Sequence, residues 1–117
     1  MADYRKLEVW KLAHEMTLCV YRVTTSVPAE ERYGLTAQIR RSAASVAANI
    51  AEGAGRDTDQ DFARFVVIAA SSANETEYHA LLAHDLGYID TAAWEQLTGL
   101  IGRVRSMLTN LHKTLKG

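Results

Sequence analysis

Apolar residues recur along this chain at steps of three and four from end to end. Nowhere do β-branched residues alternate with polar ones over a strand length, so the 3.6-residue period of the α-helix governs the pattern. The spacing predicts a first helix over about Tyr4–Ser26. Val9, Leu12, Met16, Cys19 or Val20, and Val23 form one apolar face of it, and Leu7, Trp10, His14, Leu18 and Tyr21 form a second. A helix apolar on two faces is either central to a bundle or shared with another subunit. Pro28, the chain's one proline, ends it. A second helix is expected from Leu35 to Ala54, with Ile39, Ala43, Val46, Ile50 and Gly53 as its core stripe and Gly53 and Gly55 as its stop. A third starts near Thr58, where Thr58 and Asp61 resemble a capping box, and runs to about Leu86 before Gly87. The fourth follows the N-cap residue Asp90, and its Leu97, Ile101, Val104, Leu108, Leu111 and Leu115 step by four and three like a coiled-coil seam. Four long helices and short loops predict an all-α, antiparallel up-down-up-down four-helix bundle of one domain over residues 1–117.

Composition narrows the function classes. Apolar residues make up 48% of the 117, enough for a core, and the net charge of −1 is unlike the basic balance of a dedicated nucleic-acid binder. One cysteine, Cys19, rules out an intrachain disulfide and a cysteine-rich metal site. The first ten residues are mostly polar and no apolar run nears the ~18 residues of a membrane span, which predicts a cytoplasmic protein with no membrane partner.

Three patterns suggest chemistry. Gly53-Ala54-Gly55 follows a helix rather than a strand and lacks a Gly-Lys-Ser/Thr ending, so it reads as a helix stop and not a phosphate cradle. Bundle di-iron sites need Glu-x-x-His pairs; Glu75 with His79 and His14 with Glu15 do not supply them. No catalytic residue, cofactor or metal ligand is therefore predicted. The alanines of helix 2 suit close packing against bulkier residues of helices 1 and 4. Arg41–Glu75 and Glu52–Arg64 share one constant sum of position numbers, 116, as residues facing each other across an antiparallel hairpin do. They are expected to form two reciprocal ion pairs that fix register, with Asn49 as a cap or bridge within the same polar seam or, alternatively, an inter-subunit contact.

The segments YRKLEVWKLAHE, ERYGLTAQIRRSAASVAANIAEGAGR, DFARFV and LGYI, over roughly residues 4–89, resemble the 23S rRNA-intervening-sequence protein family, also called four helix bundle proteins. The resemblance implies a left-handed bundle assembled as a ring-like homopentamer, in small bacterial cytosolic proteins without a settled biochemical activity. A relative, the accessory variability determinant of diversity-generating retroelements, is a basic pentamer that binds nucleic acid and a reverse transcriptase. This chain departs from the pattern at Ser71, where glycine is usual, at Ala73 and Thr76, where larger apolar residues are usual, and at Ala47, where proline is frequent.

Two function classes follow. The first is a non-enzymatic oligomeric scaffold or interaction protein, its Leu7, Trp10, Leu18 and Tyr21 contacting a neighbouring subunit. The second is RNA binding through Arg40, Arg56, Arg103, Arg105, Lys113 and Lys116. Charge segregation motivates it: Thr58–Tyr88 holds five acidic residues and one basic, whereas the stretch from Ile89 onward holds four basic and two acidic.

Overall fold

The computed structural model describes residues 2–117. Its four helices are α1 (Glu8–Val23), α2 (Leu35–Ala54), α3 (Asp59–Asp85) and α4 (Thr91–Lys116). Each packs on its neighbours in chain order, and α1 also packs on α4, so the four close a cycle around one core. Contacts fix the directions. Ser42 meets Thr76 and Ser45 meets Ser72, so α2 and α3 run antiparallel. Arg105 meets Glu77 while His84 meets Thr91, so α3 and α4 do too. The bundle measures 43 × 23 × 20 Å.

The first helix is not continuous. Asp3 caps a single 3₁₀ turn at Tyr4–Lys6 by accepting from Arg5 N–H at 3.1 Å, and Leu7 is extended (φ −78°, ψ 125°) before α1 begins. That break lets the N-terminal turn fold back. Tyr4 sets its ring edge-on to Trp10 at 4.9 Å, and Ala2 N–H donates to the Ala54 carbonyl at the end of α2. At the other end α1 tightens into a 3₁₀ turn at Thr24–Ser26, where three hydroxyls donate back to the carbonyls of Val20, Arg22 and Val23. Such back-bonding competes with helix continuation. Pro28 then holds Val27 extended.

Helix ends elsewhere follow local chemistry, with one exception. Thr58 caps α3 by accepting from Asp61 N–H at 3.1 Å, and Asp90 caps α4 by accepting from Ala93 N–H at 2.8 Å. α3 ends in a Schellman motif: Tyr88 N–H donates to Ala83 and Gly87 N–H to His84, with Gly87 at φ +78°. The exception is the stop of α2. Gly55 sits in the right-handed region (φ −84°), and Gly53 lies inside the helix, buried. A Cβ on Gly53 would stand 2.7 Å from Phe62 Cδ1 and 2.8 Å from Phe65 Cβ. Gly53 is there to let α3 approach, not to end the helix. α2 starts at Gly34 without a side-chain cap of its own; Glu31 supplies the acceptor instead, taking Leu35 N–H at 3.2 Å.

The largest fully buried side chains, Met16, Ile39, Ile50, Leu97, Ile101 and Leu108, come from α1, α2 and α4. α3 buries Ala63, Ala69, Ala73, Ala80 and Ala83, with only Val66 and Thr76 larger. The small-residue surface thus belongs to α3 as much as to α2, whose Ala44 and Ala48 face solvent. Short side chains bring α2 and α3 close enough for hydroxyls to meet directly. Ser45 Oγ lies 2.9 Å from Ser72 Oγ, and Thr76 Oγ1 lies 2.9 Å from Ser42 Oγ, both of the latter pair buried. Asn49 belongs to this seam and donates to the Ser45 carbonyl at 2.8 Å.

Candidate interaction surfaces

The six cations proposed for nucleic acid do not form one set. Arg40 is half-buried, donates through Nε to Thr24 Oγ1 at 3.0 Å, and lays its guanidinium 4.6 Å over the Tyr21 ring. Arg56 pairs with Glu52 at 3.2 Å and Asp61 at 3.7 Å and stacks on Phe65. Arg105 grips Glu77 with both terminal nitrogens, at 3.0 and 3.1 Å, and that bond holds its already high pKa higher still. Arg103, Lys113 and Lys116 are exposed and make no ion pair among the described residues.

Of the two charge pairs expected between α2 and α3, the structure forms one. Arg41 Nη2 stands 3.4 Å from Glu75 Oε2, and Arg41 also bonds Gln38. Glu52 and Arg64 do not pair. Glu52 is taken by Arg56 four residues on, and Arg64 by Asp61 at 2.9 Å three residues back. Helical neighbours at those spacings are always within reach, whereas a cross-helix partner depends on side-chain direction.

The residues expected at a subunit interface divide as well. Leu7 and Trp10 are half-buried and pack on this subunit's own core, where Trp10 also stacks on His14 at 5.1 Å. Leu18 and Tyr21 point outward, 46% and 45% exposed. With Lys11 and His14 they mark one outward stripe of α1.

A second stripe escaped the sequence reading. On α3, Val67, Tyr78 and Leu81 are 51%, 59% and 41% exposed. With Ser71 and Asn74 they occupy every third or fourth position down the helix. The signal was in the sequence: α3 is apolar at more positions than one buried face needs. Beside the stripe, between α3 and α4, run two depressions that share Asn74. One, about 500 Å³, is lined by Tyr78, Leu81, Trp94 and Thr98; the other, about 310 Å³, by Val67, Ala70, Leu108 and His112.

Other groups have local explanations. Burial pushes the Cys19 thiol above its ordinary pKa, so it stays protonated and inert at neutral pH. The bond donated to Glu31 at 3.2 Å raises the Tyr88 phenol. A third depression, at the α2–α3 turn, is lined by Arg56, Asp57, Asp61 and Arg64, two cations and two anions, with Asp61 bridging the arginines. Among the described residues, no group of three or more His, Cys, Asp or Glu side chains stands close enough to hold a metal ion, and no helix is long and apolar enough to cross a membrane.

A solved structure similar to this chain brings no activity with it. The crystal structure of a protein of unknown function from the S23 ribosomal protein family of Bacteroides thetaiotaomicron superposes with a TM-score of 0.83 at 26% identity, over 90% of this chain and 98% of that one. No curated protein resembles the chain closely enough to match it. The profile of the 23S rRNA-intervening sequence protein matches residues 5–110, nearly the full bundle, and the chain belongs to that family.

Proposed function

We propose that this chain is a non-enzymatic, homo-oligomeric scaffold of the cytoplasm, assembled as a pentamer. The observation that carries the reading is the pair of outward apolar stripes, Leu18 with Tyr21 on α1 and Val67 with Tyr78 and Leu81 on α3. A 117-residue subunit that leaves aliphatic and tyrosyl surface exposed along two helices has the chemistry of an interaction protein. The side chains with displaced pKa values also favour this reading over an enzyme. Cys19, Tyr88 and Arg105 are each explained by burial or by one bonded partner, and none of them lines the depressions described above. Light scattering on the purified chain tests it. The expected mass is about five times 12.9 kDa, and a mass of 12.9 kDa at micromolar concentration removes the proposal.

RNA binding is the second reading, supported by Arg103, Lys113 and Lys116, which remain uncommitted to acidic partners. It predicts a gel shift with single- or double-stranded RNA at low salt that weakens steeply by about 200 mM salt. The absence of a shift at low salt would exclude it and leave the scaffold reading intact.

A further inference from the structure

The two ends of the bundle differ in charge. At the end formed by the α2–α3 turn, residues 2–7, 52–64 and 112–117 carry six lysines and arginines against five carboxylates. At the opposite end the α1–α2 and α3–α4 connections, residues 24–34 and 85–90, carry Glu30, Glu31, Asp85 and Asp90 against Arg32 alone. Arg22 and Glu95, just outside them, line one depression on the α1–α4 side and offset each other. The acidic end also presents Leu86, 51% exposed, and Tyr33, which at 87% is the most exposed large apolar side chain among the described residues. We propose that this end docks a lysine- and arginine-rich segment of another protein, with Tyr33 as its anchor. The inference does not rest on the oligomer reading, which concerns the sides of the bundle.

Three observations select that occupant. The first is that Tyr33 is held out on a pinned loop. Glu31, Arg32 and Gly34 donate their N–H groups to the carbonyls of Pro28, Ala29 and Glu31 at 2.9, 3.1 and 2.9 Å. The Glu31 carboxylate accepts from Leu35 N–H and from the Tyr88 hydroxyl, each at 3.2 Å. Ser26 Oγ donates to the Tyr88 carbonyl at 2.8 Å, so the connection that carries Tyr33 is tied to the one that carries Leu86. An ordered tyrosine has little freedom left to lose on binding, and tyrosine is one of the residues that anchor interfaces. The second is what the ring already attracts. The Arg32 guanidinium lies 5.9 Å from its centroid, and most of the ring stays in water, where a partner's guanidinium can stack. The third is how the negative charge is spread. Among the described residues no three acidic or histidine side chains stand close enough to hold a metal ion. Carboxylates dispersed over two connections suit a row of cations better than a single one. Glu30 is exposed and makes no ion pair among the described residues, and Asp85 is 65% exposed with only His84 beside it, at 3.4 Å. The same charge repels the phosphates of nucleic acid and the matching end of a second copy, which leaves a basic polypeptide as the complementary partner.

Fluorescence anisotropy with a fluorescein-labelled oligo-arginine peptide at low salt tests the proposal on the full chain. The wild type should bind it. Glu30→Gln with Asp85→Asn should weaken binding about tenfold, and Tyr33→Ser about fivefold. Asp57→Asn with Asp59→Asn removes the same charge at the opposite end and should change the affinity less than about twofold. All five side chains are exposed, so the fold should survive; circular dichroism checks this, and Tyr33→Ala replaces Tyr33→Ser if the serine disturbs it. No binding by the wild type overturns the proposal. Equal losses in the two charge variants also overturn it, because net charge alone would then attract the peptide. Unchanged binding by Tyr33→Ser removes the anchor and with it the docking site. Spermine that displaces the peptide at equal concentration would assign the end to a small polyamine. An RNA oligonucleotide whose binding is lost in the Glu30 and Asp85 variant would assign it to nucleic acid. Light scattering on the same variants keeps the two readings apart, since the expected mass is the wild type's whether or not the peptide binds.

Discussion

The α2–α3 seam and the α4 stripe solve the same packing problem in opposite ways. Along α4, Leu97, Ile101, Val104 and Leu108 are each at most 1% exposed and fill the core with bulk. Along the α2–α3 seam Gly53 lies against Phe62 and Phe65, and the hydroxyls of Ser42 and Thr76 and of Ser45 and Ser72 meet across it. Bulk contributes through area removed from water and tolerates swaps of similar volume. A small-residue seam gains little area per residue, but its tolerance for added atoms is low and its hydroxyl pairs specify alignment. The bundle therefore separates the two tasks, with bulk supplied by α1, α2 and α4 and register by the hydroxyl pairs and the Gly53 contact between α2 and α3.

Truncation of the bulky side should give the largest effect. Leu108→Ala removes most of a fully buried side chain and is expected to cost about 2–5 kcal/mol of unfolding free energy, read by urea denaturation. A cost under about 1 kcal/mol would mean that neighbours collapse into the space and that α4 is packed loosely.

Enlargement should break the other side. In most helices Gly→Ala stabilises, by about 0.5–1 kcal/mol. At Gly53 the new methyl would meet Phe62 and Phe65 at under 3 Å, and overpacking of this kind costs about 1–3 kcal/mol, so the net sign reverses. Gly99→Ala on α4, where nothing lies within 4 Å of the new Cβ, is the control and should stabilise. If both variants stabilise, the phenylalanines yield easily and the seam is not tight.

Hydroxyl removal sharpens the comparison further. Thr76→Val keeps shape and deletes the bonds to buried Ser42 and to the Ser72 carbonyl, an expected loss of about 1 kcal/mol. Ser42→Ala added to it should cost little more, because no unsatisfied partner then remains. Additive losses in that cycle would show the two hydroxyls acting independently.

Much of this was legible beforehand. The repeat of apolar residues on α4 and the caps Thr58 and Asp90 were readable because each depends on residues within one or two turns. The bounds of α2 were readable too, although their cause was not: Gly53 and Gly55 predicted the right end for the wrong reason, since only the packed structure reveals Phe62 and Phe65 above Gly53. The break at Leu7 depends on where Tyr4 and Ala2 find partners, and these lie on Trp10 and at Ala54. Trp10 looked like interface because an apolar stripe cannot say which apolar surface covers it. The outward face of α3 went unread for the converse reason: alanine, valine and threonine bury one side so unobtrusively that its two stripes merge in sequence.

The smallest effect bears most directly on register. Arg41 and Glu75 are 65% and 42% exposed at 3.4 Å, and Glu75 is shared with His79 Nε2 at 3.2 Å. Solvent screens such a pair, so a double-mutant cycle with Arg41→Ala and Glu75→Ala should give a coupling of about 0.2–1 kcal/mol that shrinks with salt. The matching cycle for Glu52 and Arg64 should give none, because each is satisfied on its own helix by Arg56 and Asp61. Equal coupling in the two cycles would mean that the local pairs open in solution and that charge does align both ends of the hairpin. Coupling at Arg41–Glu75 alone would leave the Gly53 end to steric fit, with charge assisting only where the hydroxyl pairs already hold the helices together.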